Sequence, residues 1–146
     1  METLTTDEAR RLIEIAKNAL IEIIDAPQPG TRLEFDASGK ESKELFTVDI
    51  LRGKINRKKY NYGARIKKNG IILLELHVNA GNMHVNPNGE KFNGSHWHYY
   101  TQEDGLKNAF PVPDLDSQDF IDNTLLFLEK FHIVNNPKIQ YQAELF

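Results

Sequence analysis

The spacing of apolar residues changes once along this chain, after Pro29-Gly30, and that change restricts the fold more than any other feature. Before it, Ala9, Leu12, Ile13, Ala16, Leu20, Ile23 and Ile24 recur at helical spacing. Thr5 with Glu8 has the form of a capping box and Pro27 is a stop, so residues 6–25 read as a helix. From residue 31 to residue 110 the period is two. Strands are expected over 31–35, 44–52, 60–67, 71–78, 96–101 and 106–110. Turn sequences separate several of them: Asp36-Ala37-Ser38-Gly39, Lys68-Asn69-Gly70 and Glu103-Asp104-Gly105. Asn69-Gly70 suits the positive φ angles of a tight two-residue hairpin turn. Tyr60, Tyr62, Ala64 and Ile66 alternate with Asn61, Gly63, Arg65 and Lys67, which predicts one packed face and one basic face.

Short connections favour antiparallel pairing over parallel crossovers. A second helix is expected over about 117–131, starting after Asp116 or Ser117 and carrying Phe120, Ile121, Leu125, Leu128 and Phe131. Asn135-Asn136-Pro137 ends that region, and 138–146 reads as a last extended segment. The expected fold is therefore α+β: a curled antiparallel sheet of about five to six strands flanked by an N-terminal and a C-terminal helix, in a single domain over 1–146. At 146 residues, with 40% hydrophobic and 27% charged positions, the chain suits one soluble domain with its own core. There is no cysteine, which excludes disulfides and removes thiolates as metal ligands. An acidic N-terminus and no apolar run of bilayer length predict a cytoplasmic protein with no membrane partner.

The net charge of −3 hides an asymmetry. Residues 1–49 carry six Lys/Arg and eleven Asp/Glu, and residues 75–146 carry four and ten. Between them, residues 50–74 carry eight basic side chains and no acid: Arg52, Lys54, Arg57, Lys58, Lys59, Arg65, Lys67 and Lys68. Such a block is either a phosphate-facing surface or the solvated face of a hairpin.

Candidate chemistry concentrates between His84 and His98, where three of the five histidines fall within fifteen residues. His96 and His98 form H-x-H, so on a strand both point to one face, with Tyr100 next in the row. Three readings stay open. In the first, His84, His96, His98 and Tyr100 serve acid–base cleavage of RNA, with Arg52, Arg57, Lys59 and Arg65 holding the phosphate and no metal or cofactor needed. In the second, His96, His98 and Glu103 form half of a cupin-like metal motif. Without cysteine, and with Glu103 in a turn, that set is a poor closed tetrahedral site, so no tightly bound structural ion is expected. In the third, the histidines are structural, His84 bonding into the Asn86-Pro87-Asn88-Gly89 turn. His77 alternates with Glu75 and Leu73 and reads as a satisfied sheet residue, while His132 suits the negative end of a helix dipole.

Asp49-Ile50-Leu51-Arg52, Lys59-Tyr60-Asn61-Tyr62, the apolar run from Ile71 to Leu76, His84-Val85-Asn86-Pro87-Asn88-Gly89 and His96-Trp97-His98-Tyr99-Tyr100 follow one another in order. In this order they resemble an uncharacterised bacterial and phage family with an H-x-N-P-[DN]-G motif followed by H-x-H-x-Y. Members of that family often carry an Arg and an Asp on the apolar strand where this chain has Glu75 and His77. The layout is also similar, more loosely, to RelE-like small ribonuclease toxins. That resemblance implies a metal-independent endoribonuclease toxin of a toxin–antitoxin or mobile-element system, with RNA as substrate and an antitoxin as protein partner. The alternative from another class is a non-enzymatic phage or mobile-element protein whose acidic ends bind a host defence protein.

Overall fold

The computed structural model describes residues 3–79, 83–112 and 119–141. Helix α1 spans Thr6–Glu14 and is followed by two short strands, β1 Lys17–Ala19 and β2 Ile23–Asp25. The long strands are β3 Arg32–Gly39, β4 Leu45–Arg52, β5 Tyr60–Ile66 and β6 Ile72–Val78. A small hairpin, β7 His84–Val85 with β8 Lys91–Phe92, precedes β9 His96–Tyr99 and β10 Ala109–Pro111. Helix α2 Phe120–Lys130 and β11 Lys138–Gln140 complete the order.

Seven strands form one antiparallel sheet in the order β1-β3-β4-β5-β6-β9-β10, and β11 pairs in parallel with β2 in a separate ribbon. The α+β class and the antiparallel sheet are as expected, but the sheet has seven strands and is open, with β1 and β10 as edges, rather than curled. One face carries Phe46, Val48, Ile50, Tyr60, Tyr62, Ala64, Leu74, Leu76 and Trp97, all buried in a single apolar cluster with residues from both helices. Phe127 of α2 stacks on Tyr62 and Trp97 with ring centroids 5.4 and 6.1 Å away, and the Tyr62 hydroxyl meets Thr124 at 2.9 Å. Large apolar groups at period two on β4, β5 and β6 thus give the helices a continuous surface to cover. The opposite face carries polar side chains, among them Glu34, Asp49 and Glu75. This is the face that holds the histidines.

Several local expectations fail for identifiable reasons. The capping box forms, Thr5 accepting from the Glu8 amide at 3.1 Å, but α1 stops at Glu14 and not at residue 25. The ammonium of Lys17, fully buried, donates to the carbonyls of Ile13, Ile15 and Phe131 at 2.8, 2.9 and 2.8 Å. It satisfies the open end of α1, ties it to the end of α2, and releases the chain into β1. Leu20 and Ile23, counted in the helical stripe, are about half exposed. The Asp36–Gly39 turn sequence lies inside β3, because register with β4 runs on to Ser38↔Leu45. The Asn69-Gly70 connection is longer than two residues: Ile66 and Ile71 close it, and only Gly70 takes a positive φ, of 74°. Asp119 caps α2 through the amides of Ile121 and Asp122, while Asp116 and Ser117 lie outside the described residues.

Candidate metal centre

In an antiparallel pair, residues directly opposite share a face. The register of β6 with β9 sets His77 against His96 and Glu75 against His98. Two alternating strands therefore place three imidazoles and a carboxylate in a block of four. The ring centroids of His77 lie 5.0 Å from His96 and 4.9 Å from His98, and those of His96 and His98 are 4.8 Å apart. One ring nitrogen from each of the three falls within 4.8 Å of the others, where a tetrahedral ion with bonds of ~2.05 Å needs about 3.3 Å.

The β7–β8 hairpin lies against this block. His84 comes within 5.5 Å of His96 and 5.0 Å of His98, ring to ring, and Phe92 packs 5.6 Å from His96. Asn86 fixes the hairpin to β10: its Oδ1 accepts from the Ala109 amide at 2.8 Å and its Nδ2 donates to the Ala109 carbonyl at 2.9 Å. The Gly89 φ of 92° and the Gly89 amide to Asn86 carbonyl bond complete the turn expected from Asn-Pro-Asn-Gly. The hairpin packs on His96 and His98, and both are buried.

Hydrogen bonds fix the tautomers. His98 Nδ1 donates to the Leu106 carbonyl at 2.6 Å and His96 Nδ1 to the Gly94 carbonyl at 2.9 Å. A carbonyl only accepts, so both Nδ1 atoms carry the proton and both Nε2 atoms offer a lone pair. The Asn86 Oδ1 and the Lys107 carbonyl accept from His84 Nε2, which leaves Nδ1 as its open nitrogen. Burial, followed by the neighbouring His77 charge, pushes His98 down to about 4, and burial also lowers His96. At neutral pH these two rings are neutral imidazoles. His77 Nε2 stands 3.5 Å from Glu75 Oε1, and Asn61, opposite His77 on β5, has a buried Oδ1 with no partner among the described residues.

The polar face continues away from the histidines. Glu34, Asp49, Gly63, Glu75 and His98 form one row across five strands. Arg65 is shared between Asp49 and Glu34, each at 3.4 Å, Arg32 reaches Asp49 at 3.6 Å, and Lys67 pairs with Asp36. The face read from sequence as basic is thus a mixed-charge face, because β3 and β4 bring acids into register with it. Burial raises the Asp49 carboxyl above the usual range despite these arginines.

The other site candidates divide. Arg52 is tied to the Arg57 carbonyl at 2.8 Å and the Pro27 carbonyl at 3.1 Å, while Arg57 and Lys59 lie on the connection between β4 and β5. Tyr100 is turned away from the histidines, its hydroxyl donating to the Leu4 carbonyl at 2.8 Å beneath α1. Glu103 bonds Thr6, so the H-x-H-plus-Glu103 grouping does not form. His77 takes its place, and it is the residue the sequence reading set aside as a satisfied sheet position. An E-x-H on a strand with one apolar face was the available signal. A cavity of about 430 Å³, lined by Arg10, Tyr99, Phe110, Lys130 and His132 among others, includes none of His77, His96 and His98.

The chain belongs to a family of unknown function, DUF6978, whose model matches residues 4–133. Neither the curated proteins nor the solved structures contain a match to it. No described helix is long and apolar enough to cross a membrane.

Proposed function

We propose that this member of the DUF6978 family is a metalloprotein that holds a divalent transition-metal ion between His77, His96 and His98. The observation that carries the reading is the convergence of one ring nitrogen from each of the three within 4.8 Å, on a set in which His96 and His98 have Nδ1 tethered to a backbone carbonyl. Metal-binding histidines are oriented in this way, because the tether fixes the tautomer and aims the lone pair. Imidazole and carboxylate without thiolate suit zinc, iron, nickel or copper.

The same features weigh against metal-free acid–base cleavage of RNA by these histidines. A general acid must hold its proton at the working pH. His98, held down to about 4, is neutral at pH 7 and already in the form a metal requires. Three protein ligands leave a coordination position for water, as in catalytic rather than closed structural sites. Glu75, beside His77 and opposite His98, would be the proton acceptor for such a water, and Asn61, opposite His77, has a buried Oδ1 with no partner among the described residues. With an ion bound, such a water would be a nucleophile at neutral pH, so hydrolysis is the chemistry this set suits best.

The test is elemental analysis of untagged protein purified without chelator, followed by reloading of stripped protein with Zn²⁺, Fe²⁺, Ni²⁺ or Cu²⁺ under matched conditions. About one ion per chain is expected, falling at least tenfold in affinity in His77→Ala and in His98→Ala. A chain that takes up no transition metal, or takes it up equally well without His77, overturns the reading.

A further inference from the structure

The connection between β4 and β5, residues 53–59, reads Gly-Lys-Ile-Asn-Arg-Lys-Lys. Its tip, Ile55, is 98% exposed, the most exposed large apolar side chain among the described residues. The loop around it is tightly built. Gly53 donates its amide to the Lys59 carbonyl at 2.8 Å, and Lys59 donates its own to the Asn56 carbonyl at 3.1 Å. Asn56 Oδ1 accepts from the Lys58 amide at 3.1 Å, and Arg52 braces the Arg57 carbonyl from inside. Gly53 is required here, since a Cβ would sit 2.2 Å from the Asn56 carbonyl oxygen. A bare isoleucine held out on a fixed turn, ringed by cations, has no folding role to explain it.

The charge has the same character. Arg65 and Lys67 are paired with acids on the sheet face, whereas Lys54, Arg57 and Lys59 make no ion pair among the described residues. In a protein of net charge −3, these cations with Lys58 form a positive point on an acidic body. Their place in the fold is also specific. Asn79, two residues past His77, donates to the Lys58 carbonyl at 2.8 Å, and its amide donates to Ser95 Oγ, the residue before His96. Two strand residues span about 6.6 Å, so the loop is rooted beside the histidine end of the sheet.

We infer that residues 53–59 are a nucleic-acid-binding element that engages a duplex, with Ile55 set against a base step and Lys54, Arg57 and Lys59 on the flanking phosphates. Apolar wedges flanked by Arg, Lys and Asn enter the minor groove in this way. The chemistry of the loop favours this partner over the others. Single strands are held by aromatic stacking platforms, and the loop carries no aromatic residue. An anionic bilayer is held by a broad apolar face, and here there is one isoleucine. The binding stands without the metal reading. Only the further step, delivery of a phosphodiester to the histidine centre, rests on it.

The experiment is fluorescence anisotropy of chelator-stripped protein with a labelled 20-base-pair DNA duplex, the matching RNA duplex and each single strand. With about three phosphates neutralised, affinity for the duplex should fall about 40-fold between 50 and 200 mM salt. The triple variant Lys54→Glu, Arg57→Glu, Lys59→Glu should abolish binding, and Lys67→Gln should leave it unchanged. Ile55→Ser should weaken binding about tenfold with the salt slope intact. These variants sit on an exposed loop, and circular dichroism melts verify their folding. The DNA and RNA arms tell which duplex is bound. No binding at 50 mM salt, tighter binding to single strands, binding kept by the triple variant, or binding to vesicles of phosphatidylcholine and phosphatidylserine but not to duplex would each overturn the inference. Using stripped protein separates these outcomes from failure of the metal site.

Discussion

Replacing Lys17 by methionine should change how stability depends on pH, by an amount the structure fixes. Lys17 is fully buried, with three backbone carbonyls around its ammonium and the Phe131 ring 3.9 Å from it. Burial lowers its value from 10.5 to about 7. The folded chain therefore loses this proton near pH 7, while the unfolded chain keeps it to about pH 10.5. Over that window the unfolded state binds more protons, so stability rises with pH. Below pH 7 the group is protonated in both states and its contribution is flat. Linkage between these two values gives a gain of about 2 kcal/mol from pH 7 to pH 9. Methionine keeps the unbranched stem and removes the titration. Urea unfolding of both proteins at pH 6, 7, 8 and 9 isolates the effect, since other groups cancel in the difference. The wild-type advantage should grow by about 2 kcal/mol between pH 7 and pH 9. A difference that stays constant with pH would refute the reasoning: the three carbonyls and the ring would then fully offset burial and keep the ammonium charged.

Three further outcomes follow from packing and polar satisfaction. Phe127→Ala removes a fully buried ring that stacks on Tyr62, Trp97 and Phe131, and should cost about 3–5 kcal/mol in urea unfolding. Thr124→Val strands the buried Tyr62 hydroxyl and should cost about 1–3 kcal/mol, recovered in part by adding Tyr62→Phe. Asn86→Ala unfastens the β7–β8 hairpin from Ala109 and from His84, costing about 2–4 kcal/mol. Its imidazole signals in NMR should shift for His84 before those of His77, which Asn86 does not touch.

The legible part of this chain was what one strand or one turn decides alone. Alternation in 60–66 and 72–78 placed Tyr62 and Leu76 inward and His77 outward, and H-x-H put His96 and His98 on one face. The turn at Asn86-Pro87-Asn88-Gly89 brings His84 back toward them, as its proline and glycine suggest. What the sequence left hidden depends on register between segments that are not consecutive. His77 meets His96 only because β9 skips the β7–β8 hairpin to pair with β6, and no local pattern encodes that choice. Arg65 reads as free for the same reason, since Asp49 and Glu34 are neighbours through pairing and not through sequence. The end of α1 was missed because its stop is Lys17, a residue that favours helix by itself and ends this one by burying its ammonium among helix-terminal carbonyls.

The proposed metal centre is tested most directly by X-ray absorption at the zinc edge of stripped protein reloaded with one equivalent of Zn²⁺ and dialysed. Coordination by His77, His96 and His98 predicts nitrogen and oxygen donors at about 2.0–2.1 Å with the outer-shell scattering of three imidazoles, reduced to two in His77→Ala. Zinc lost on dialysis, or retained with an oxygen shell and no imidazole scattering, would contradict it.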